Sequence, residues 1–160
     1  IEGVILTGGG DFSNYIKKDL SSYEKNIDNN LISRERDILE FNLIKYCSNR
    51  NIPILGICRG MQTLNYFYNG NLENVTGHNN QLVKLNKLNS FFEYDDFVNS
   101  YHNKGITEQS MSIYFEPLAI SNNVIKSFKH KNLHQYGIMW HPERNDPFSD
   151  NDINLFKKIF

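Results

Sequence analysis

Cysteine is scarce in this chain. Two in 160 residues, Cys47 and Cys58, are too few for a disulfide framework, and both read as free thiols of a reducing compartment. Charge of neither sign is in excess. Seventeen Lys and Arg stand against 18 Asp and Glu, a formal net charge of -1, so no electrostatic case exists for nucleic acid or an anionic membrane as partner. No apolar run approaches the roughly 20 residues of a membrane span, and the first residues lack the pattern of a signal peptide. His78, His102, His130 and His134 are isolated from one another and from other ligand types, so no metal is expected. Internal repeats and low-complexity linkers are missing too. What remains is one domain over residues 1–160, long enough to bury a core and expected in the cytoplasm.

The chain starts on Ile1 inside a strand-like segment and so reads as the continuation of upstream sequence. Val4-Ile5-Leu6 is a short apolar strand that runs into Thr7-Gly8-Gly9-Gly10. Residues 11–33 are polar and weakly periodic, a loop or excursion. Ser33 is placed to cap a helix from about Arg34 to Ser48, with Ile38, Leu39, Leu43, Ile44 and Cys47 along its apolar side. Residues 52–57 read as a buried parallel strand and Gly60 to Tyr68 as the helix that follows, ended by Asn69-Gly70. Further strands are expected at 83–85, 112–115, 118–120, 124–128 and 136–139. Ser149-x-x-Asp152 opens a last helix whose apolar face is Ile153, Phe156, Ile159 and Phe160. Alternating strands and helices followed by a run of strands predict an α/β sheet with an antiparallel extension.

The chemistry concentrates at two places. Gly56-Ile57-Cys58-Arg59-Gly60 sits where a strand feeds a helix, the thiol form of a nucleophile elbow, with small residues leaving room for a sharp turn. The positive end of the following helix favours thiolate there. Far downstream, Trp140-His141-Pro142-Glu143 follows another apolar run and offers Cys58 a base and a carboxylate to orient it. The glycine loop lacks the Lys-Ser/Thr ending of a P-loop and the spacing of a dinucleotide fingerprint, so no cofactor is expected. With an elbow nearby it serves better as half of an oxyanion hole, an N–H of Gly9 or Gly10 acting with that of Arg59. Gln62, one helical turn past Cys58, is placed either to meet substrate or to face solvent.

Taken in order, Thr7-Gly8-Gly9-Gly10-Asp11, Arg36-Asp37, Gly56-Ile57-Cys58-Arg59-Gly60-Met61-Gln62-Thr63-Leu64-Asn65, Val98-Asn99-Ser100-x-His102 and Trp140-His141-Pro142-Glu143 resemble the class I glutamine amidotransferase-like hydrolases, in their γ-glutamyl hydrolase branch. The resemblance covers nearly the whole chain. It implies a flavodoxin-like three-layer α/β/α sandwich with a mostly parallel central sheet, and a strand-helix-strand region ahead of the glycine loop that this chain lacks. It also implies a catalytic triad of Cys58, His141 and Glu143 that cleaves a γ-glutamyl amide through a thioester. Gln62 and the Ser100-Tyr101-His102 segment would hold the glutamyl α-amino and α-carboxylate groups.

Within that branch, His102-Asn103-Lys104 departs from the His-His-Gln of many γ-glutamyl-γ-aminobutyrate hydrolases. Residues 143–148 and the compact 78–102 segment are more similar to the γ-glutamyl-CDP-amidate hydrolases, which release glutamate from CDP-L-glutamine in capsule phosphoramidate synthesis. Arg144, Lys104 and His102 are then candidates to meet a diphosphate. Three other readings stay open: a γ-glutamyl-γ-aminobutyrate-type hydrolase, the glutaminase subunit of a synthase, and a non-enzymatic ligand-binding relative. The expected partner is a small γ-glutamyl compound; the oligomeric state is left open.

Overall fold

A computed structural model of the protein describes residues 1–10 and 31–160, with side chains from Arg34 onward in the second stretch. Asp11 and nearly all of the polar excursion expected over 11–33 fall outside the described residues; the last three of that range already belong to a helix. Ten strands and three α-helices are described: β1 Val4–Leu6, α1 Leu31–Ser48, β2 Ile54–Ile57, α2 Arg59–Phe67, β3 Glu73–Asn74, β4 Asn79–Lys84, β5 Asn86–Lys87, β6 Phe97–Tyr101, β7 Lys104–Gly105, β8 Phe115–Ser121, β9 Val124–His130, β10 Gln135–Ile138 and α3 Asp150–Ile159. Among the described residues no helix is long and apolar enough to cross a membrane.

Six strands form the main sheet, in the order β1-β2-β10-β9-β8-β5. β2 runs parallel to both β1 and β10, with Leu6 and Gly137 each opposite Gly56 and Ile138 opposite Ile57. The remaining neighbours are antiparallel. Asn122 and Asn123, both at positive φ, form the two-residue turn between β8 and β9, a conformation that suits the twist of a tight hairpin. The parallel half matters for function. Its three strands end at one edge, so Thr7–Gly10, Cys58 and His141 emerge close together although up to 134 residues separate them.

The sheet is covered on both faces. A Cβ on Gly56 would lie 2.5 Å from the Gly60 carbonyl carbon, and one on Gly137 would lie 2.5 Å from the Met61 side chain, so these glycines let α2 rest directly on the strands. Tyr136, on the opposite side of β10, meets Phe91 and Phe92, and Lys158 of α3 lies over the same two rings. Trp140 is 1 % exposed in this second core and donates its indole N–H to Asp152 Oδ1 at 2.9 Å.

Several expectations need correction. Helix α1 begins at Leu31, so Ser33 lies inside it and is not its cap. Its buried side is Asp37, Glu40, Ile44 and Cys47, while Ile38 and Leu39 are 41 % and 58 % exposed. The two carboxylates are drawn in by Arg59, and that ion cluster outweighs the apolar pattern in setting the helix's rotation. In α3, Ser149 does cap the helix by accepting from the Asp152 N–H at 3.0 Å. Its buried residues are Asp152, Leu155 and Ile159, with Phe160 half exposed, because Asp152 must reach Trp140. Residues 112–114 are not strand, and only Phe115 of that stretch joins β8. The polar stretch around Asn99 is strand β6.

Candidate active site

Cys58 sits at φ 50°, ψ −102°, between the last residue of β2 and the first of α2. That conformation is rare for a residue with a Cβ and is held by its surroundings. The Cys58 N–H donates to the Ile138 carbonyl at 2.8 Å, and the Gln62 N–H donates back to the Cys58 carbonyl at 3.1 Å. A Cβ on Gly60 would overlap the Leu6 carbonyl, so this glycine is required by close approach of β1. The elbow geometry read from the sequence is therefore present. The sulfur's ionisation is not as expected. Although α2 starts beside it, burial dominates and pushes the Cys58 thiol up to about 11; the Arg59 backbone N–H and the Lys126 charge pull the other way without winning. At rest Cys58 is a thiol, and a nucleophilic role would require a base.

His141 follows β10 and precedes a short 3-10 turn, Pro142–Arg144. Asn99 of β6 grips its backbone on both sides: the His141 N–H donates to Asn99 Oδ1 at 2.9 Å, and Asn99 Nδ2 donates to the His141 carbonyl at 2.8 Å. His141 Nδ1 lies 2.6 Å from Glu143 Oε1. With Nδ1–H donated to that carboxylate, Nε2 is left to handle a proton. The ring also rests against the glycine loop, where a Cβ on Gly8 would come within 2.6 Å of its Cε1. A cavity of about 330 Å³ opens here, lined by Thr7, Gly8, Gly9, Ile57, His141, Glu143 and Arg144. The Arg144 guanidinium stacks 4.0 Å over the Tyr101 ring, which itself meets His141 edge-on at 5.9 Å.

The glycine loop and the elbow are tied together from behind. Arg36 donates through Nη2 to the Thr7 carbonyl at 2.6 Å and to the Gly8 carbonyl at 3.0 Å, and through Nε to Glu40 Oε1 at 2.7 Å. The other oxygen of Glu40 accepts from Arg59 Nη1 at 2.5 Å and from the Thr63 hydroxyl at 2.9 Å. Asp37 also accepts from Arg59. Arg59, Asp37 and Glu40 are at most 5 % exposed, and with the partly exposed Arg36 the cluster sets two cations against two carboxylates. Arg59 thus has a second position in the site, through its side chain as well as its backbone.

Of the residues proposed to hold the glutamyl group, Gln62, Ser100 and His102 come together and Tyr101 faces the other way. Gln62 Nε2 donates to the Lys104 carbonyl at 2.9 Å, which lies 2.9 Å from His102 Nδ1. Lys126 donates to His102 Nε2 at 2.8 Å and to Ser100 Oγ at 2.9 Å, and Ser100 donates to the His78 carbonyl. Both nitrogens of His102 are therefore engaged inside the protein. Lys126, fully buried, was not legible as part of this region: it sits in the run Val124–His130 as a polar residue in an apolar strand, and only the fold turns it toward His102.

Comparison with known proteins gives a consistent picture. The model of the Peptidase C26 family matches residues 1–89. Gamma-glutamyl-CDP-amidate hydrolase of Campylobacter jejuni is 34% identical over 161 residues, spanning 100% of this chain and 70% of that protein. A crystal structure from Thermoplasma acidophilum shares the fold with a TM-score of 0.72 at 21% identity, over 99% of this chain and 71% of the other. A glutamine amidotransferase from Thermotoga maritima does so with a TM-score of 0.64 at 14% identity, over 99% and 84%. The fold is the flavodoxin-like α/β/α sandwich of these proteins.

Proposed function

Because the chain belongs to the Peptidase C26 family of class I glutamine amidotransferase-like proteins, we propose that it hydrolyses γ-glutamyl-CDP-amidate through a glutamyl thioester on Cys58. It is an enzyme, a γ-glutamyl amide hydrolase; the nucleotide leaving group and the thioester are the further reading. One observation carries the thioester. The register of β2 and β10 sets Cys58 and His141 at adjoining strand ends, with the Cys58 N–H bonded to the Ile138 carbonyl and the His141 ring bonded to Glu143.

The chemistry then follows from the residues. His141 Nε2 takes the proton of the Cys58 thiol, which burial keeps protonated at rest. The sulfur attacks the γ-carbonyl carbon, and the resulting oxyanion meets the N–H groups of Arg59 and of Gly9 or Gly10. The C–N bond breaks as His141 returns its proton to the leaving nitrogen, leaving a glutamyl thioester. Water, deprotonated by the same His141, releases glutamate and restores the thiol. Arg144, stacked on Tyr101 at the cavity wall, offers a cation to a diphosphate leaving group. Gln62 and the Ser100–His102 segment would border the glutamyl end. The products would be glutamate and cytidine diphosphoramidate, a donor for capsule phosphoramidate, made in a reducing cytoplasm that keeps Cys58 free.

The test is glutamate release from CDP-L-glutamine, γ-glutamyl-γ-aminobutyrate and L-glutamine under matched conditions. A preference of at least about tenfold in kcat/KM for the nucleotide is expected, equal to about 1.4 kcal/mol of differential transition-state binding. Equal or greater turnover of the small amine overturns the nucleotide assignment. No release from any of them until a synthase partner is added overturns free hydrolysis altogether.

A further inference from the structure

We propose that Arg36 and Glu40 are positioning residues that set the oxyanion hole, locking its two N–H donors to one another from behind the site. This rests on the thioester reading above. In a trans peptide the C=O of one residue and the N–H of the next point in opposite directions. Arg36 draws the Gly8 carbonyl to its Nη2 at 3.0 Å, so the Gly9 N–H is turned away from Arg36. The Thr7 carbonyl, held at 2.6 Å by the same atom, turns the Gly8 N–H likewise. Gly8 and Gly9 line the cavity that His141 and Glu143 also line. Gly9 sits at φ 152°, which a side chain would resist, so the loop has no intrinsic stiffness to hold this orientation unaided.

The second donor is the Arg59 N–H at the start of α2, and it is fixed through the Arg59 side chain. Glu40 joins the two halves. One oxygen takes Arg36, which holds the loop, and the other takes Arg59 and Thr63, which belong to the elbow helix. One oxygen of this carboxylate is thus bonded to the arginine of its own helix that holds the loop, and the other to two residues of the elbow helix. None of these side chains needs to touch substrate. Their place is to keep two amide dipoles aimed before charge develops, where preorganised donors have most effect.

The test separates acylation from simple thiol reactivity. Alkylation of Cys58 by iodoacetamide needs the sulfur but no oxyanion donor; acylation by γ-glutamyl-p-nitroanilide needs both. In Arg36→Met, which alters a partly exposed side chain, kcat is expected to fall about 10²-fold, the order found on removing one such donor. KM and the alkylation rate should each stay within about twofold. Arg36→Lys should recover only part, since one ammonium replaces a planar fork. Glu40→Gln, which keeps shape and removes charge, should show the same split. The proposal is overturned if kcat in Arg36→Met stays within threefold of the parent, or if alkylation falls in proportion to kcat. A parent enzyme that releases p-nitroaniline at the same rate after Cys58→Ala removes the thioester reading, and the proposal falls with it. Unchanged urea midpoints in Arg36→Met would support positioning; a midpoint lowered along with alkylation would make the cluster merely structural.

Discussion

Glu143 Oε1 lies 2.6 Å from His141 Nδ1, yet the carboxylate side chain is 52 % exposed while the imidazole is 7 % exposed. In the proposed mechanism, the partner that orients the base is thus half in water. Solvent can replace part of what Glu143 supplies, and an exposed ion pair is weak. Glu143→Gln is therefore expected to lower kcat by about 10-fold to 100-fold, against about 10³-fold or more for His141→Ala and near-complete loss for Cys58→Ala. Steady-state rates on one γ-glutamyl amide decide it. Equal losses in Glu143→Gln and His141→Ala would mean that the carboxylate does more than orient.

The glycines of the elbow and of the loop after β1 differ sharply in what they tolerate. At Gly60 a Cβ would overlap the Leu6 carbonyl, a backbone atom fixed by the β1–β2 pairing, so neither side can yield cheaply. Gly60→Ala should destabilise by roughly 2–3 kcal/mol, the upper range for an overpacked core. Gly10→Ala meets nothing within 4 Å and should leave the urea midpoint unchanged. Similar midpoints for the two variants would show that α2 can slide away from β1.

The elbow, its glycines and the two chemical segments were legible because each is local: a strand end, a small residue, a turn. What was hidden depends on partners far along the chain. Asp37 and Glu40 looked like the polar side of α1 until Arg59, about 20 residues on, drew them inward. Asp152 looked like a capping-box residue only, and its bond to Trp140 rotates α3 away from the apolar face the spacing suggested. Asn99 stood out only as one residue of the Val98-Asn99-Ser100-x-His102 motif, whereas it lies in a strand and clamps His141. Asp37, Glu40 and Asp152 are buried polar groups whose pairing outweighed hydrophobic periodicity, while Asn99 is half-buried and is placed by its strand.

Trp140 and Asp152 give a direct measure of one such pairing. The indole N–H donates to Asp152 Oδ1 at 2.9 Å in a region with almost no solvent, and Tyr94 packs edge-on against the ring at 5.4 Å. Asp152→Ala leaves that donor buried and unpaired, which should cost about 1–3 kcal/mol. Asp152→Asn keeps an acceptor in place and should lose less. Denaturant unfolding followed by the fluorescence of Trp140, the chain's single Trp, reports both. A larger loss in Asp152→Asn than in Asp152→Ala would count against the pairing.

Lys126 yields a prediction in pH. It is fully buried, bonded to Ser100 and His102, and among the described residues forms no ion pair with a carboxylate. Burial pushes its pKa down to about 7, from 10.5 in the exposed chain, with the Cys58 charge acting weakly upward. Between those values the unfolded chain holds more protons than the folded one, so stability rises with pH from about 7 toward 10.5. Below about 7 both states are charged and the dependence ends. The Cys58 thiol, raised from 9.0 to about 11, works in the opposite sense above pH 9, so the clean window lies between about 7 and 9. Across it the gain should be roughly 1–2 kcal/mol. Lys126→Met should remove that slope, though it leaves His102 Nε2 without its donor at every pH. Urea unfolding of both proteins at the two ends of the window makes the comparison. An unchanged slope in Lys126→Met would mean that another group titrates there and that Lys126 keeps its charge inside the fold.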